Sequence, residues 1–479
     1  MRVLLWHGWL LDGTGSNVYT ARVAEVLARD GHDVVVVCQE RHVERHPWVD
    51  AHATVSARGV GRLEPTGAGS GAGRAAILRP DIGRLLPVFV LDDYEGFRAK
   101  RFVDLADDEL DAYLDANVAA LRAAAAWHRP DVVIAGHAVP GGPVAGRALG
   151  RDRYVVKVHG SDVEYAIRLQ ERYRRLAGEA LGAATAVTGS SQDVLDRLAV
   201  LVPAATERSR VVHPGVDSVL FSPRPRRDAL LDAAARLEVL DTVAEMRDGS
   251  APDRGSAAEL RALASGDGPI VGYLGKLIPQ KGVALLIAAL TRTTVAPRAL
   301  IVGFGSEREL LEALAATLRS GDLAATERLA RAAGWPFEIS ELGEPPLRVD
   351  VRFTGRLDHA YAPDAVAAMD VLVVPSVLDE AFGMVAAEGA AAGALPLLAR
   401  HSGLAEVAGA LERHVDRPGL FSFEPGPRAV GRIAAGIDRL LSLPPRERDR
   451  IRAAVRDFVS REWSWLRTAA RLLDAADAR

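Results

Sequence analysis

Two carboxylates, Glu380 and Glu388, bracket the stretch of this chain best suited to chemistry. Ahead of them, Val371-Leu-Val-Val374 reads as a buried parallel strand, because it is short, apolar and β-branched. Pro375 and Ser376 end that strand, and a small-residue helix begins near Met384 and runs toward Gly393. A helix start offers unpaired backbone N–H groups and a positive dipole end, and both suit a phosphate. Carboxylates beside a phosphate repel it, so their use must differ: ionised oxygens accept strong hydrogen bonds from sugar hydroxyls. Glu388 lies about five residues past the loop, roughly 7 Å along the helix axis. The pair thus reaches two hydroxyl-bearing rings on either side of one diphosphate, which describes a nucleotide-sugar. The plainer alternative has both glutamates capping or solvating a helix end.

Cations to meet the diphosphate come from farther up the chain. Ile270-Val-Gly-Tyr-Leu274 reads as the opening strand of a second nucleotide-type domain, and Gly275-Lys276 and Lys281-Gly282 follow it. Two lysines on a glycine-bounded turn after a buried strand suit a diphosphate approached from one side; solvated lysines are the alternative. Near the N-terminus, Val3 to Trp9 reads as a strand, and Gly13-Thr-Gly15-Ser16 turns into a helix that Gly31 stops before Val34–Val37. This βαβ unit lacks the full dinucleotide-binding fingerprint, since Val18 stands where a third glycine belongs, although Glu40 follows the second strand as a ribose carboxylate would. His159 stands at the carboxyl end of the strand Tyr154–Lys157, the edge where such sheets bind ligands; a structural histidine is the alternative. His159, Asp162 and Glu164 are metal-ligand types, but their spacing sends the side chains apart unless a turn gathers them. His42, His46 and His52 lack ligand spacing and receive no role.

Glu380-x7-Glu388, with Phe382-Gly383 after the first glutamate, resembles the signature of the retaining family-four glycosyltransferases of the GT-B class, the glycosyl transferases group 1. The glycine turn at 13–16, His159-Gly-Ser-Asp162, Val211–Asp217 and the lysine turn keep it company. The resemblance covers most of the chain outside 42–130 and two insertions, 223–268 and 320–347. It implies an α/β fold of two facing Rossmann-like domains. The first, an acceptor domain over 1–222, is completed by a C-terminal helix, 462–479, that crosses back to it. A linker and helical insertion occupies 223–268, and a nucleotide-sugar donor domain occupies 269–461.

The implied reaction moves a hexosyl unit from a nucleotide-diphosphate sugar, with UDP-sugar favoured, to an acceptor hydroxyl while keeping the anomeric configuration. In similar enzymes the position of His159 contacts the transferred sugar, those of Lys276 and Lys281 the leaving diphosphate, and that of Glu380 the sugar hydroxyls. Donor binding falls to Gly13, Gly15 and Ser16, to Gly275 and Gly303, to Phe382, Gly383, Met384 and Val385 at the helix start, and to Glu388 on the ribose. Arg356 is a base-side candidate, mainly through its main chain. Lys276 stands where the family carries an arginine, a point charge in place of a fork. No cofactor or metal is implied, since the lysines and the helix start offset the developing charge; no nucleophile is assigned.

Composition narrows the partners. A length of 479 residues makes two domains the default. A formal net charge of −4 argues against nucleic acid as the main partner. Cys38 is the single cysteine, which excludes an intramolecular disulfide and fits a reducing cytoplasm. The apolar N-terminus lacks a small-residue cleavage site, and no run approaches the ~18 apolar residues of a membrane span. The expected setting is cytoplasmic, with contact at the inner membrane face as an option and a small molecule, lipid or glycan as acceptor. Abundant alanine and arginine suggest a GC-rich bacterial genome. Two rivals are a metal-dependent GT-A transferase, for which only Asp92-Asp93 and Asp107-Asp108 are available, and a non-catalytic nucleotide-sugar-binding subunit. Pro223–Arg227 reads as an extended hinge, Asp92–Phe102 as a solvated connection with acceptor recognition or membrane contact as alternatives, and Glu462-Trp463-Ser-Trp465 as the opening of a last helix.

Overall fold

The computed structural model describes residues 1–479 except 68, 70–71, 92–93, 243–251, 344–349, 359 and 478–479. Asp92 and Asp93 therefore lie outside the described residues, as do 243–251 of the first insertion and 344–347 of the second. The chain divides into two compact units: Met1–Gly215 with Trp465–Arg479, and Val216–Ser464.

The sheet of the first unit runs, in spatial order, Ser209–Val211, Ala186–Gly189, Val155–Val158, Val132–Gly136, Arg2–Trp6, Asp33–Val37, Arg74–Pro80, Ala51–Ser56 and Gly59–Val60. All neighbours are parallel except at the last pair and at Glu64–Pro65, which also pairs with Ala51–Ser56. The central strands are buried on both faces, hence their unbroken valine and leucine runs. Ser191 caps the helix Gln192–Leu201 by accepting from the Val194 N–H, as its serine predicts. The stretch expected as a solvated connection is partly structured: Arg98–Arg101 pairs with Leu85–Val88, and Phe102 is fully buried.

The second unit has a six-stranded parallel sheet ordered Val351–Gly355, Arg298–Val302, Ile270–Leu274, Val371–Val374, Leu395–Ala399, Ser422–Phe423. The strand order reverses between Ile270–Leu274 and Val371–Val374, as in doubly wound nucleotide-binding sheets. The helix Val283–Leu290 is apolar on every side, and accordingly every residue in it is buried.

Residues 216–268 belong to this unit, with helices at Arg226–Thr242 and Ser256–Ser265. Within 223–227, expected as an extended hinge, Arg224 and Arg226 are held by ion pairs, while Pro223, Pro225 and Arg227 are exposed. Arg224 pairs with Asp364 and Asp232, and Arg226 pairs with Asp370 and donates to the Gly268 carbonyl at 2.7 Å. Asp364 and Asp370 are buried carboxylates, and these arginines neutralise them. Glu462 ends the helix Pro445–Glu462 instead of opening the last one, which spans Trp465–Asp477. The break falls where the Val216 N–H claims the Trp463 carbonyl at 2.6 Å.

Candidate active site

In the second unit the two loops leaving the switch-point strands are joined, with the Val377 N–H donating to the Gln280 carbonyl at 2.9 Å. On these loops Lys281 donates to Glu380 Oε1, and Ser376 Oγ donates to the same oxygen at 2.6 Å. A third loop braces the glutamate: its N–H donates to Ser402 Oγ at 2.9 Å, and its carbonyl accepts from Gly403 N–H at 3.0 Å. Ser402 holds a left-handed φ of 49° to make that contact. His401 Nε2 donates to the Ser376 carbonyl at 2.7 Å. Burial pushes the Glu380 carboxyl upward, but Lys281, Ser376 and His401 together hold it below its ordinary value.

Gly383 precedes the helix Met384–Ala392 with φ +86°, and a Cβ there would lie 2.4 Å from Leu404 Cδ2. Glycine is thus required twice, by conformation and by space. Met384 and Val385 are half-buried in the first helical turn, and Glu388 is half-buried farther along the same helix. Phe382 packs into the core, edge-on to Trp463 at 5.1 Å, so its ring serves packing and its backbone faces the helix start.

A neighbouring group forms where Gly303 meets Gly275 so closely that a Cβ on Gly303 would sit 1.8 Å from the Gly275 carbonyl oxygen. The ring of Phe304 then carries two cations, Arg356 at 4.7 Å and Lys276 at 5.8 Å from its centroid. The Arg356 carbonyl accepts from the Asp253 N–H at 3.2 Å. In the sequence, Phe304 is marked only by its place, an aromatic between two glycines after a strand.

The first unit gathers a second group at its own switch point, between Arg2–Trp6 and Val132–Gly136. His7 and Trp9 follow the one strand and His137 the other. His137 lies 4.6 Å from Trp9 and 4.5 Å from His159, ring centre to ring centre, and Tyr19 lies edge-on to His159 at 5.2 Å. His7 Nε2 bonds to Asn17 Oδ1 at 2.9 Å. Both ring nitrogens of His137 are buried without a hydrogen-bond partner, and its φ is +71°. Burial lowers His7 to about 4 and pushes His137 and His159 well below the ordinary imidazole value. Lys157, buried against Ser190 Oγ at 3.0 Å, is lowered by burial to about 7.

Asp162 accepts from the N–H groups of Ala138 at 2.6 Å and Gly160 at 2.9 Å, and burial raises it to about 6. Glu164 turns away to Arg168 and Arg197, so His159, Asp162 and Glu164 do not converge on a metal. Gly13, at φ +92°, and Gly15 have open space where a Cβ would stand, and Gly15 and Ser16 start the helix. Glu40 is spent inside the fold: it accepts from Leu11 N–H at 2.9 Å and from His42 N–H at 2.8 Å, which pins the glycine loop to the end of Asp33–Val37.

Residues 14–215 match the model of the glycosyl transferase 4-like domain, and residues 268–442 that of the glycosyl transferases group 1. The chain is 30% identical over 345 residues, 71% of its own length and 73% of the relative's, to the GDP-mannose-dependent alpha-(1-6)-phosphatidylinositol monomannoside mannosyltransferase of Mycolicibacterium smegmatis. It is 26% identical over 290 residues, 56% of its length and 63% of the relative's, to the 2-deoxystreptamine glucosyltransferase of Streptomyces kanamyceticus. Its fold matches Anabaena HepE, solved with UDP and glucose, at a TM-score of 0.60 and 15% identity over 100% of both chains. It also matches the sucrose-phosphate synthase of Thermosynechococcus elongatus at 0.57 and 19% identity, over 99% of this chain and 97% of that one. The chain belongs to the group 1 glycosyltransferases, family four, and has their GT-B fold. It is a glycosyltransferase. Among the described residues no helix is long and apolar enough to cross a membrane.

Proposed function

We propose that this enzyme transfers a hexosyl unit from a nucleotide-diphosphate sugar, a UDP-sugar first, to an acceptor hydroxyl with retention and without a metal. The observation that carries the reading is the Lys281–Glu380 pair above the helix start at Gly383. An anionic diphosphate at that helix start draws the Lys281 ammonium toward itself and frees the Glu380 oxygens to accept from sugar hydroxyls. Lys281, Lys276 and the first N–H groups of Met384–Ala392 then stabilise the charge that builds on the departing diphosphate. Glu388 takes the ribose hydroxyls, and the Phe304 ring, flanked by Arg356, offers a stacking face for the base. His159, at the carboxyl edge of its sheet and held neutral by burial, acts on the transferred sugar as a hydrogen-bonding group.

A GDP-sugar donor is the second reading, favoured by the likeness to a GDP-mannose-dependent enzyme. The acceptor is a small molecule, lipid or glycan, and a lipid acceptor would bring the protein to a membrane surface. A thermal-shift panel of UDP, GDP and ADP, then donor hydrolysis with the matching sugars, tests both. Stabilisation by one diphosphate and slow turnover of its sugars is expected, with the product's anomeric configuration read by NMR. No stabilisation by any of the three, or donor inversion, overturns the reading.

A further inference from the structure

Asp12, Glu40 and His46 meet at the edge of the first unit, each offering one ligand atom within 4.8 Å of the others. They are brought together from three places: the glycine loop, the end of Asp33–Val37, and the turn Val43–Arg45. Glu40 and Asp12 are six and thirty-four positions from His46 along the chain, so the group forms only on folding.

His46 is the telling member. Its side chain is 7% exposed, and its Nε2 is buried without a hydrogen-bond partner. That atom faces Glu40 Oε2 at 3.5 Å and Asp12 Oδ2 at 3.9 Å. These gaps are long for hydrogen bonds. Yet bonds of about 2.0–2.2 Å to a tetrahedral ion set neighbouring ligand atoms roughly 3.3–3.6 Å apart, so drawing these atoms in from within 4.8 Å of one another places all three on one centre. Glu40 is oriented for this by backbone donors, Leu11 N–H on the facing oxygen and Arg41 and His42 N–H on the other. Such support of a ligating carboxylate is a common feature of built metal sites. Asp12 is largely exposed, which leaves a path for the ion and room for water as a fourth ligand.

We propose that Asp12, Glu40 and His46 bind one divalent transition-metal ion, Zn2+ by preference. One imidazole and two carboxylates suit such an ion better than Mg2+ or Ca2+, which favour all-oxygen sets. The ion is structural: it ties the glycine loop to the strand end and takes no part in the transfer chemistry. The inference rests on the first unit alone and stands or falls apart from the donor reading.

The test uses full-length protein freed of any affinity tag, stripped with chelator and titrated calorimetrically with Zn2+ at neutral pH. One equivalent is expected to bind, with affinity weakened at least about tenfold in both Asp12→Asn and His46→Gln. Asp12→Asn changes an exposed side chain and keeps the test valid should His46→Gln fail to fold. Absorption of the Co2+-loaded protein gives a second reading, an intense tetrahedral band in the parent that Asp12→Asn diminishes. No saturable equivalent, or Zn2+ affinity and Co2+ spectrum unchanged in Asp12→Asn, overturns the proposal and leaves a histidine packed beside two carboxylates.

Discussion

The Lys281 ammonium donates to the Glu380 carboxylate from a loop 99 residues earlier in the chain, and Ser376 donates to the same oxygen. A half-buried glutamate with a charge partner, a hydroxyl partner and a backbone brace is fixed in one orientation. Glu380→Gln keeps the shape and removes the charge. Under the proposed function it lowers kcat by about 100-fold, the range found when one preorganised polar group is lost from a transition state. UDP affinity stays within about threefold, because the carboxylate serves the sugar. A product assay beside calorimetry separates the two numbers.

Glu388→Ala has the opposite profile. Losing a charged acceptor of ribose hydroxyls costs about 1.5–3 kcal/mol, so UDP binds at least about tenfold more weakly, while kcat at saturating donor falls less. Titration with UDP alone reads this; an unchanged dissociation constant removes Glu388 from the donor site.

Gly383→Ala strains a left-handed residue and drives a methyl into Leu404. A loss of about 1–3 kcal/mol in stability is expected from the backbone conformation alone, seen as a lower melting temperature. The helix start shifts with it, so UDP affinity also falls. Gly393→Ala, past the other end of the same helix at φ +94° and with 3.5 Å of clearance to Pro223 Cγ, costs stability without costing UDP affinity.

The buried imidazoles make the first unit acid-sensitive. His7 is lowered from 6.5 to about 4, so between those values the unfolded chain binds a proton that the folded one refuses. The His7 contribution is full above about pH 6.5 and is lost as pH falls toward 4, and His137 and His159 act in the same direction. Asp162, raised from 3.8 to about 6, opposes them within that window, one carboxyl against three rings. Lys157, lowered from 10.5 to about 7, adds a further rise in stability between pH 7 and 10.5. The melting temperature should therefore climb from pH 5 to pH 9, and His137→Asn, which tolerates the positive φ, should flatten the acid side of the curve.

Much of the second unit is legible because its signals are local. Val371–Val374 and Ile270–Leu274 are bounded by proline or glycine and apolar throughout, and the helix after Gly383 starts where the glycine allows. The first unit's histidine group is not, since His7, His137 and His159 come from three strand ends and each looks alone in its segment. The run 223–227 looks solvated for a related reason: Asp364 and Asp370, which pair with Arg224 and Arg226, come from about 140 residues away. The glutamate pair was visible, but not Ser402, whose hydroxyl receives the Glu380 N–H across 22 residues.

The helix Trp465–Asp477 lies in the first unit, where Trp465 meets Tyr19 at 5.6 Å between ring centres and Thr468 Oγ1 donates to the His213 carbonyl at 2.9 Å. During synthesis those partners wait on the ribosome while some 250 residues of the other unit emerge. The half that is made first is therefore the half that is finished last. A nascent chain halted before Trp465 holds an uncovered Tyr19 surface, and chaperone capture should be strongest at that stage of translation.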